Sequence, residues 1–117
     1  MKIRIQLARR SLTATLENSD AARDFLSLLP MTLTLTDYNS TEKIANLPRK
    51  LSTQDAPAGV DPDVGDIAYY APWGNLAVFY RDFGYSSGLV KLGRLHSGVE
   101  FLRRRNSLRV TIERAER

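Results

Sequence analysis

The chain contains no cysteine and a single histidine among its 117 residues. Without cysteine there is no disulfide, no thiolate nucleophile and no thiolate metal site. A zinc site built on His96 would have only carboxylates to complete it, so we predict neither a metal nor a cofactor. We interpret His96 as a partly exposed residue at the end of a strand.

Long apolar runs are also missing. None approaches the roughly 18 residues of a membrane span. Residues 1–6 alternate polar and apolar side chains, unlike the core of a signal peptide. We therefore expect a soluble, cytoplasmic protein without membrane contact; a chain from which a leader had been removed would instead be periplasmic. The length predicts a single domain over residues 1–117.

The formal net charge of +4 comes from the C-terminal end of the chain. Residues 103–117 contain six arginines and two glutamates, so the remaining residues carry no net charge. One interpretation is a solvated helix end, because cations stabilise a helix C-terminus. The alternative is a nucleic-acid or phosphate site at Arg103, Arg104 and Arg105. No aromatic residue interleaves with these arginines, which argues against nucleic-acid binding.

Hydrophobic alternation predicts a sheet protein with about seven strands. Residues 3–7 and 12–16 have the pattern of a hairpin, and residues 31–36 that of a strand with one buried face. Residues 76–80 are apolar on both faces, which is typical of a strand inside a core. A last strand over residues 108–112 is well placed to close the sheet against the first, which favours a closed barrel.

Two short helices are expected beside the strands. Apolar residues at i, i+3, i+4 and i+7 from Ala22 predict one helix, with Asn18 or Ser19 as its cap and Pro30 as its stop. The sequence Ser97-Gly98-Val99-Glu100 has capping-box spacing and predicts a second helix. Residues 37–66 lack a clear period, so we predict that this stretch is mostly loop.

Two short motifs are only weak indications of a catalytic or calcium-binding site. Residues 84–88, Gly-Tyr-Ser-Ser-Gly, have the spelling of a nucleophile elbow, but a predicted strand follows them where the motif needs a helix. Three carboxylates within residues 61–66 lack the spacing of a calcium loop. We interpret both segments as turns.

Aromatic residues are concentrated in one part of the chain. Since strand side chains alternate, about half of these can point into the core. The others predict an aromatic-lined groove that binds a peptide or a small molecule, with core and barrel rim as the alternative interpretation. The cluster consists of Tyr69, Tyr70, Trp73, Phe79, Tyr80, Phe83 and Tyr85.

Several strings resemble the small bacterial cyclophilin-like proteins of unknown function. The resemblance covers residues 2–113 and implies a mostly β fold, an eight-stranded closed barrel with a helix at each end. The strings that carry it are Asp37-Tyr38, Thr41-Glu42-Lys43-Ile44, Leu47-Pro48-Arg49-Lys50-Leu51, Tyr69-Tyr70-Ala71-Pro72-Trp73-Gly74-Asn75 and Phe79-Tyr80.

A fainter resemblance links the chain to the cyclophilin peptidyl-prolyl isomerases. Residues 92–100 are similar to a strand-to-helix segment of those enzymes. By this resemblance Lys43 stands where they have a catalytic arginine, so a point charge replaces a planar two-pronged donor. Phe79 or Tyr80 corresponds to the proline pocket, and Tyr85 to the aromatic residue at its rim.

The leading hypothesis is therefore a binding module rather than an enzyme. A weak peptidyl-prolyl isomerase is the alternative, and nucleic-acid binding through the C-terminal arginines is a third. We expect Lys43→Ala and Trp73→Ala to abolish ligand binding without unfolding the domain. The predicted polar contacts are Tyr38, Glu42, Lys43 and Arg49, and the predicted apolar contacts are Trp73, Phe79, Tyr80 and Tyr85.

Overall fold

A computed structural model describes residues 1–104 and 106–115. These residues form one α-helix, α1 (Asp20–Leu26), one 3₁₀ turn (Val99–Leu102) and ten strands. The strands are β1 (Lys2–Gln6), β2 (Ser11–Leu16), β3 (Met31–Tyr38), β4 (Glu42–Asn46), β5 (Gly59–Val60), β6 (Asp66–Tyr70), β7 (Asn75–Phe79), β8 (Ser86–Ser87), β9 (Leu89–Leu95) and β10 (Leu108–Arg114).

Eight of these strands close into an antiparallel barrel in the order β1–β10–β3–β4–β7–β6–β9–β2. The first and last strands pair with Ile5 opposite Ile112, as their alternation predicts. Strands β5 and β8 form a separate two-stranded ribbon. The predicted mostly β, closed barrel is confirmed.

Strand β7 is buried on both faces, and its outer face is the part of the barrel on which the candidate site lies. Leu76 and Val78 point into the barrel and pack in its main core. Ala77 and Phe79 point outward and pack in a second, smaller cluster with Leu89. The barrel wall around β7 therefore has an apolar outer surface that adjoining segments cover.

Helix α1 begins as predicted. The Ser19 side chain accepts a hydrogen bond from the backbone N–H of Ala22 at 3.2 Å, and Ala21, Ala22 and Phe25 are buried. The helix ends at Leu26 with Ser27 as its C-cap, a turn before Pro30. Within the described residues no helix has the length and apolar character needed to cross a membrane.

Two predictions about local structure were right in outline and wrong in detail. The second helix is a 3₁₀ turn of four residues whose N-cap is Gly98 at φ 88°, without a side-chain cap, so Ser97 and Glu100 form no capping box. A Cβ at Gly98 would lie 2.4 Å from Leu12, so glycine is required there. The stretch 37–66 is mostly loop, as predicted, but it contains the barrel strand β4, which the sequence did not indicate.

Candidate functional site

A pocket lies on the outer face of the barrel wall formed by β4, β7 and β6. Side chains alternate along these strands, so Glu42, Ile44 and Phe79 point to this face while their neighbours point into the barrel. The pocket volume is about 120 Å³. Its lining residues are Tyr38, Glu42, Ile44, Tyr70, Trp73, Asn75, Phe79, Phe83, Ser86 and Leu89.

Five of the ten residues that line the pocket are aromatic. The Trp73 ring meets the Tyr38 ring edge to face, with centroids 5.7 Å apart and planes at 86°. It meets the Tyr70 ring in the same way, at 5.4 Å and 81°. Phe79 and Phe83 pack against each other at 5.8 Å. Trp73 itself is 59% exposed, so it stands at the rim rather than in the core.

Glu42 supplies a buried carboxylate to this pocket. The residue is only 7% exposed. Burial raises the pKa of the Glu42 carboxyl, and the hydrogen bond that the Thr41 hydroxyl donates at 3.3 Å only partly opposes this. In the described part of the chain Glu42 forms no salt bridge. A buried carboxylate with so little compensation is costly for the fold and is typical of a functional position.

Asn75 supplies a second buried acceptor. It is 3% exposed, and its Nδ2 donates to the carbonyl of Leu76 at 3.1 Å. That bond fixes the orientation of the amide, so Oδ1 is the free end. Among residues 1–104 and 106–115, no donor reaches this Oδ1. Buried polar atoms usually have a partner, so this oxygen is an unsatisfied acceptor in the protein as described.

The pocket volume limits what can enter. An apolar protein cavity of about 150 Å³ holds a molecule of the size of benzene. A volume of about 120 Å³ therefore accommodates one small ring or one short side chain. The part of a ligand that enters the pocket is of this size.

The structure brings four of the eight predicted site residues to this pocket and places the other four elsewhere. Tyr38, Glu42, Trp73 and Phe79 line it. Tyr80 follows Phe79 directly and so points the opposite way, into the barrel core. Its hydroxyl donates a hydrogen bond to the Asp37 carboxylate, so it does not form part of an apolar proline pocket.

Arg49 lies against helix α1, away from the pocket. Its guanidinium donates to both oxygens of the Asp24 carboxylate, at 2.8 and 3.1 Å, and to the Ser27 hydroxyl at 2.9 Å. The hydrogen bonds from Arg49 and from the backbone N–H of Ser52 lower the pKa of Asp24. Arg49 thus attaches the 49–52 segment to the helix instead of contacting a ligand.

We expect Arg49→Ala and Trp73→Ala to have opposite effects. Loss of the Asp24 contact should lower the midpoint of thermal unfolding and leave the pocket intact. Loss of the exposed Trp73 ring should change stability little and weaken ligand binding. Thermal denaturation followed by circular dichroism, combined with a binding titration of both variants, checks this. A large stability loss in Trp73→Ala would make that ring structural.

Tyr85 is 63% exposed and packs across Gly59 of β5, where a Cβ would lie 2.6 Å from the Tyr85 hydroxyl oxygen. It therefore stabilises the β5–β8 ribbon and does not line the pocket. Ser86 follows it in β8 and does line the pocket. Residues 84–88 were interpreted as a turn, but Ser86 and Ser87 form the short strand β8 within this segment.

The C-terminal arginines and His96 lie outside the pocket. Arg103 and Arg104 are exposed, and Arg105 is outside the described residues. His96 is exposed directly after β9, and its ring contacts the hydroxyls of Thr13 and Thr15 at 2.9 and 2.6 Å. No group of three or more metal-ligating side chains that could hold an ion occurs in the part of the chain that the structure describes.

Comparison with known proteins now fixes the family. The model of the cyclophilin-like family matches residues 5–113. This chain belongs to the cyclophilin-like family. A hypothetical protein from Archaeoglobus fulgidus, whose structure was determined in solution, is similar at 20% identity and a TM-score of 0.68. The match covers 98% of this chain and 95% of that one, and at this identity it shows the fold alone. No curated protein matches the sequence.

In this cyclophilin-like protein, Lys43 does not occupy the place of an exposed catalytic donor. It is 0% exposed, and its ammonium donates to the backbone carbonyls of Arg104 and, at 2.8 Å, of Asn106. Its Nζ also lies 3.5 Å from the Asp37 carboxylate. Lys43 is adjacent to Glu42, so alternation turns it into the barrel, where it holds the end of the chain segment before β10.

Six residues of the pocket were missing from the predicted site. Tyr70 and Phe83 belong to the aromatic cluster of the sequence, but nothing in the sequence selects them over Tyr80 and Tyr85. Strand parity separates only part of the set: residues 75, 77 and 79 share one face of β7, which places Asn75 and Phe79 on the pocket side. The six are Ile44, Tyr70, Asn75, Phe83, Ser86 and Leu89.

Proposed function

We propose that this cyclophilin-like protein is a binding module that takes a small group of a peptide or small-molecule ligand into the outer pocket. One observation carries the proposal: an aromatic pocket contains two buried acceptors, Glu42 and Asn75, that the fold leaves poorly satisfied. Apolar pockets with a few convergent polar groups are the usual form of a ligand site.

The placement of Lys43 supports binding over isomerisation. A prolyl isomerase lowers a rotation barrier of roughly 20 kcal/mol by desolvating the amide and donating to the proline nitrogen. The ammonium of Lys43 donates to backbone carbonyls inside the barrel, and the described residues that line the pocket include no lysine, arginine or histidine. We therefore expect exchange spectroscopy on a bound proline peptide to show no rate above that of the free peptide.

Neighbouring serines allow a direct test of the pocket. Ser86 lines the pocket, while Ser87 is exposed and pairs with Gly59. We expect Ser86→Leu to fill the pocket and lower the affinity for a ligand roughly tenfold or more, because a volume of about 120 Å³ cannot hold both side chain and ligand. Ser87→Leu should leave affinity unchanged.

The measurement is a two-dimensional amide NMR titration with two probes, a proline-containing tetrapeptide and phenol. Saturable shifts at Ala77 and Phe79 that disappear in Ser86→Leu alone would support the proposal. Equal loss in both leucine variants would place the binding elsewhere on the ribbon. An unchanged spectrum with both probes would refute the proposal.

A further inference from the structure

The chemistry of the lining residues indicates which class of ligand the pocket takes, provided that the proposed function holds. We infer that the pocket selects ligands that carry an alkylammonium group, with the cation at Glu42 and the aromatic rings around it. The group belongs either to a free small molecule or to a peptide side chain.

Charge is the first argument. Among the described residues that line the pocket, Glu42 is the one charged side chain, and only 7% of the residue is exposed. An anionic ligand would meet this carboxylate without any compensating base in the pocket. A neutral ligand would displace water from it and leave the charge uncompensated, which is costly. An ammonium is the ligand group that compensates the carboxylate.

Ring geometry is the second argument. The planes of Tyr38 and Tyr70 stand at 86° and 81° to that of Trp73, so the aromatic walls meet nearly at right angles. All three of these side chains line the same pocket, so several aromatic rings lie near any group that enters it. Alkylammonium ions bind the faces of such rings within about 6 Å of the ring centroid, and tryptophan is the strongest partner.

The second acceptor shows that the ligand is more than a bare ion. Glu42 pairs with Phe79, so Asn75 lies four residues further along β7, or roughly 13 Å at the backbone. The unpartnered Oδ1 of Asn75 accepts a hydrogen bond from an N–H or O–H group. A metal cation would find one carboxylate among apolar rings, whereas hard cations require several oxygen ligands. A ligand that extends from Glu42 to Asn75 therefore has its hydrogen-bond donor well away from its cation, and the cation alone is the group placed at Glu42.

Choline and 3,3-dimethylbutan-1-ol test this inference as a matched pair. The two molecules have the same shape and the same hydroxyl, and only choline is charged. We expect choline to bind roughly tenfold more tightly or better, with shifts at Phe79 and at the Trp73 indole. Glu42→Gln should remove this preference. Glu100→Gln, which makes the same charge change at an exposed position, should keep it.

The outcomes separate this inference from the proposed function. Equal affinity for choline and the neutral alcohol would show a working pocket and overturn the selection for a cation. No binding of either would overturn it as well, while the tetrapeptide and phenol titrations test the pocket independently. A further arm identifies the source of the group: an acetylated tetrapeptide with trimethyllysine that binds more tightly than choline indicates a peptide, and weaker binding indicates a free small molecule.

Discussion

Lys43→Ala is expected to lower the free energy of unfolding by about 3–5 kcal/mol, the usual effect of breaking a buried charge pair. The ammonium is 0% exposed and holds the backbone carbonyls of Arg104 and Asn106. Its removal leaves these acceptors and the Asp37 carboxylate without their shared donor. This result would replace the expectation from the sequence that Lys43→Ala abolishes binding without unfolding.

Asp37 adds to the loss of stability that we expect from Lys43→Ala. Burial alone would raise the pKa of Asp37, but the hydrogen bonds from Tyr80 and the Ser40 N–H, together with the Lys43 charge, lower it overall. Without Lys43 the remaining partners are Tyr80 and Ser40, so the carboxylate loses its counter-charge at a site where its side chain is only 15% exposed. The network connects the consecutive strands β3 and β4 with the segment before β10, where Arg104 lies 61 residues from Lys43 in the sequence.

Urea denaturation of three variants checks the prediction. Lys43→Met retains most of the side-chain length, so a similar loss in Lys43→Met and Lys43→Ala would assign the stability to the ammonium rather than to its methylenes. Arg104→Ala is the control, since that residue accepts through its backbone and its side chain is exposed. A loss below about 1 kcal/mol in Lys43→Ala would show that the buried network contributes little.

The barrel was predictable because its strands have a regular period. Met31 to Thr36 and Leu108 to Ile112 alternate clearly, and both lie in the barrel as expected. Strand β4 was missed for a specific reason: Glu42 faces the pocket and Lys43 faces the barrel interior, so charged residues occupy both faces. Alternation fails as a signal where charged residues are buried, and here Glu42 lines the proposed binding pocket while Lys43 belongs to an internal ion pair.

The site was half predictable for a related reason. The composition of the 69–85 segment indicated an aromatic groove, and the structure has one. The sequence did not say which aromatic residues face it, because Phe79 and Tyr80 differ only in strand parity. Arg49 belongs to one of the family-specific strings, yet it contacts Asp24 of α1 rather than the pocket. Such strings therefore mark residues that stabilise the fold as well as residues that line a site.

Glu42→Gln is expected to stabilise the protein while it removes binding of alkylammonium ligands. A buried polar group that lacks partners costs about 1–3 kcal/mol, so loss of the charge should raise the free energy of unfolding by about 1 kcal/mol at pH 7. The same change should weaken choline binding at least roughly tenfold. A residue that stabilises the ligand complex and destabilises the free fold is expected at a functional position.

The pH dependence of stability independently checks whether Glu42→Gln raises the free energy of unfolding. Because burial raises the pKa of Glu42, the native state binds more protons than the unfolded state between the ordinary and the raised value. Stability of the unmodified protein therefore falls as the pH rises through that interval. The gain in stability from Glu42→Gln should reach its full size at a pH above the raised pKa of Glu42. It should vanish at a pH below the ordinary pKa of a glutamate. Urea denaturation at pH 7 and below pH 4, with Glu100→Gln as the control, measures this. If Glu42→Gln is less stable than the unmodified protein at pH 7, Glu42 is a structural residue. Ligand binding would then not be the reason for its buried charge.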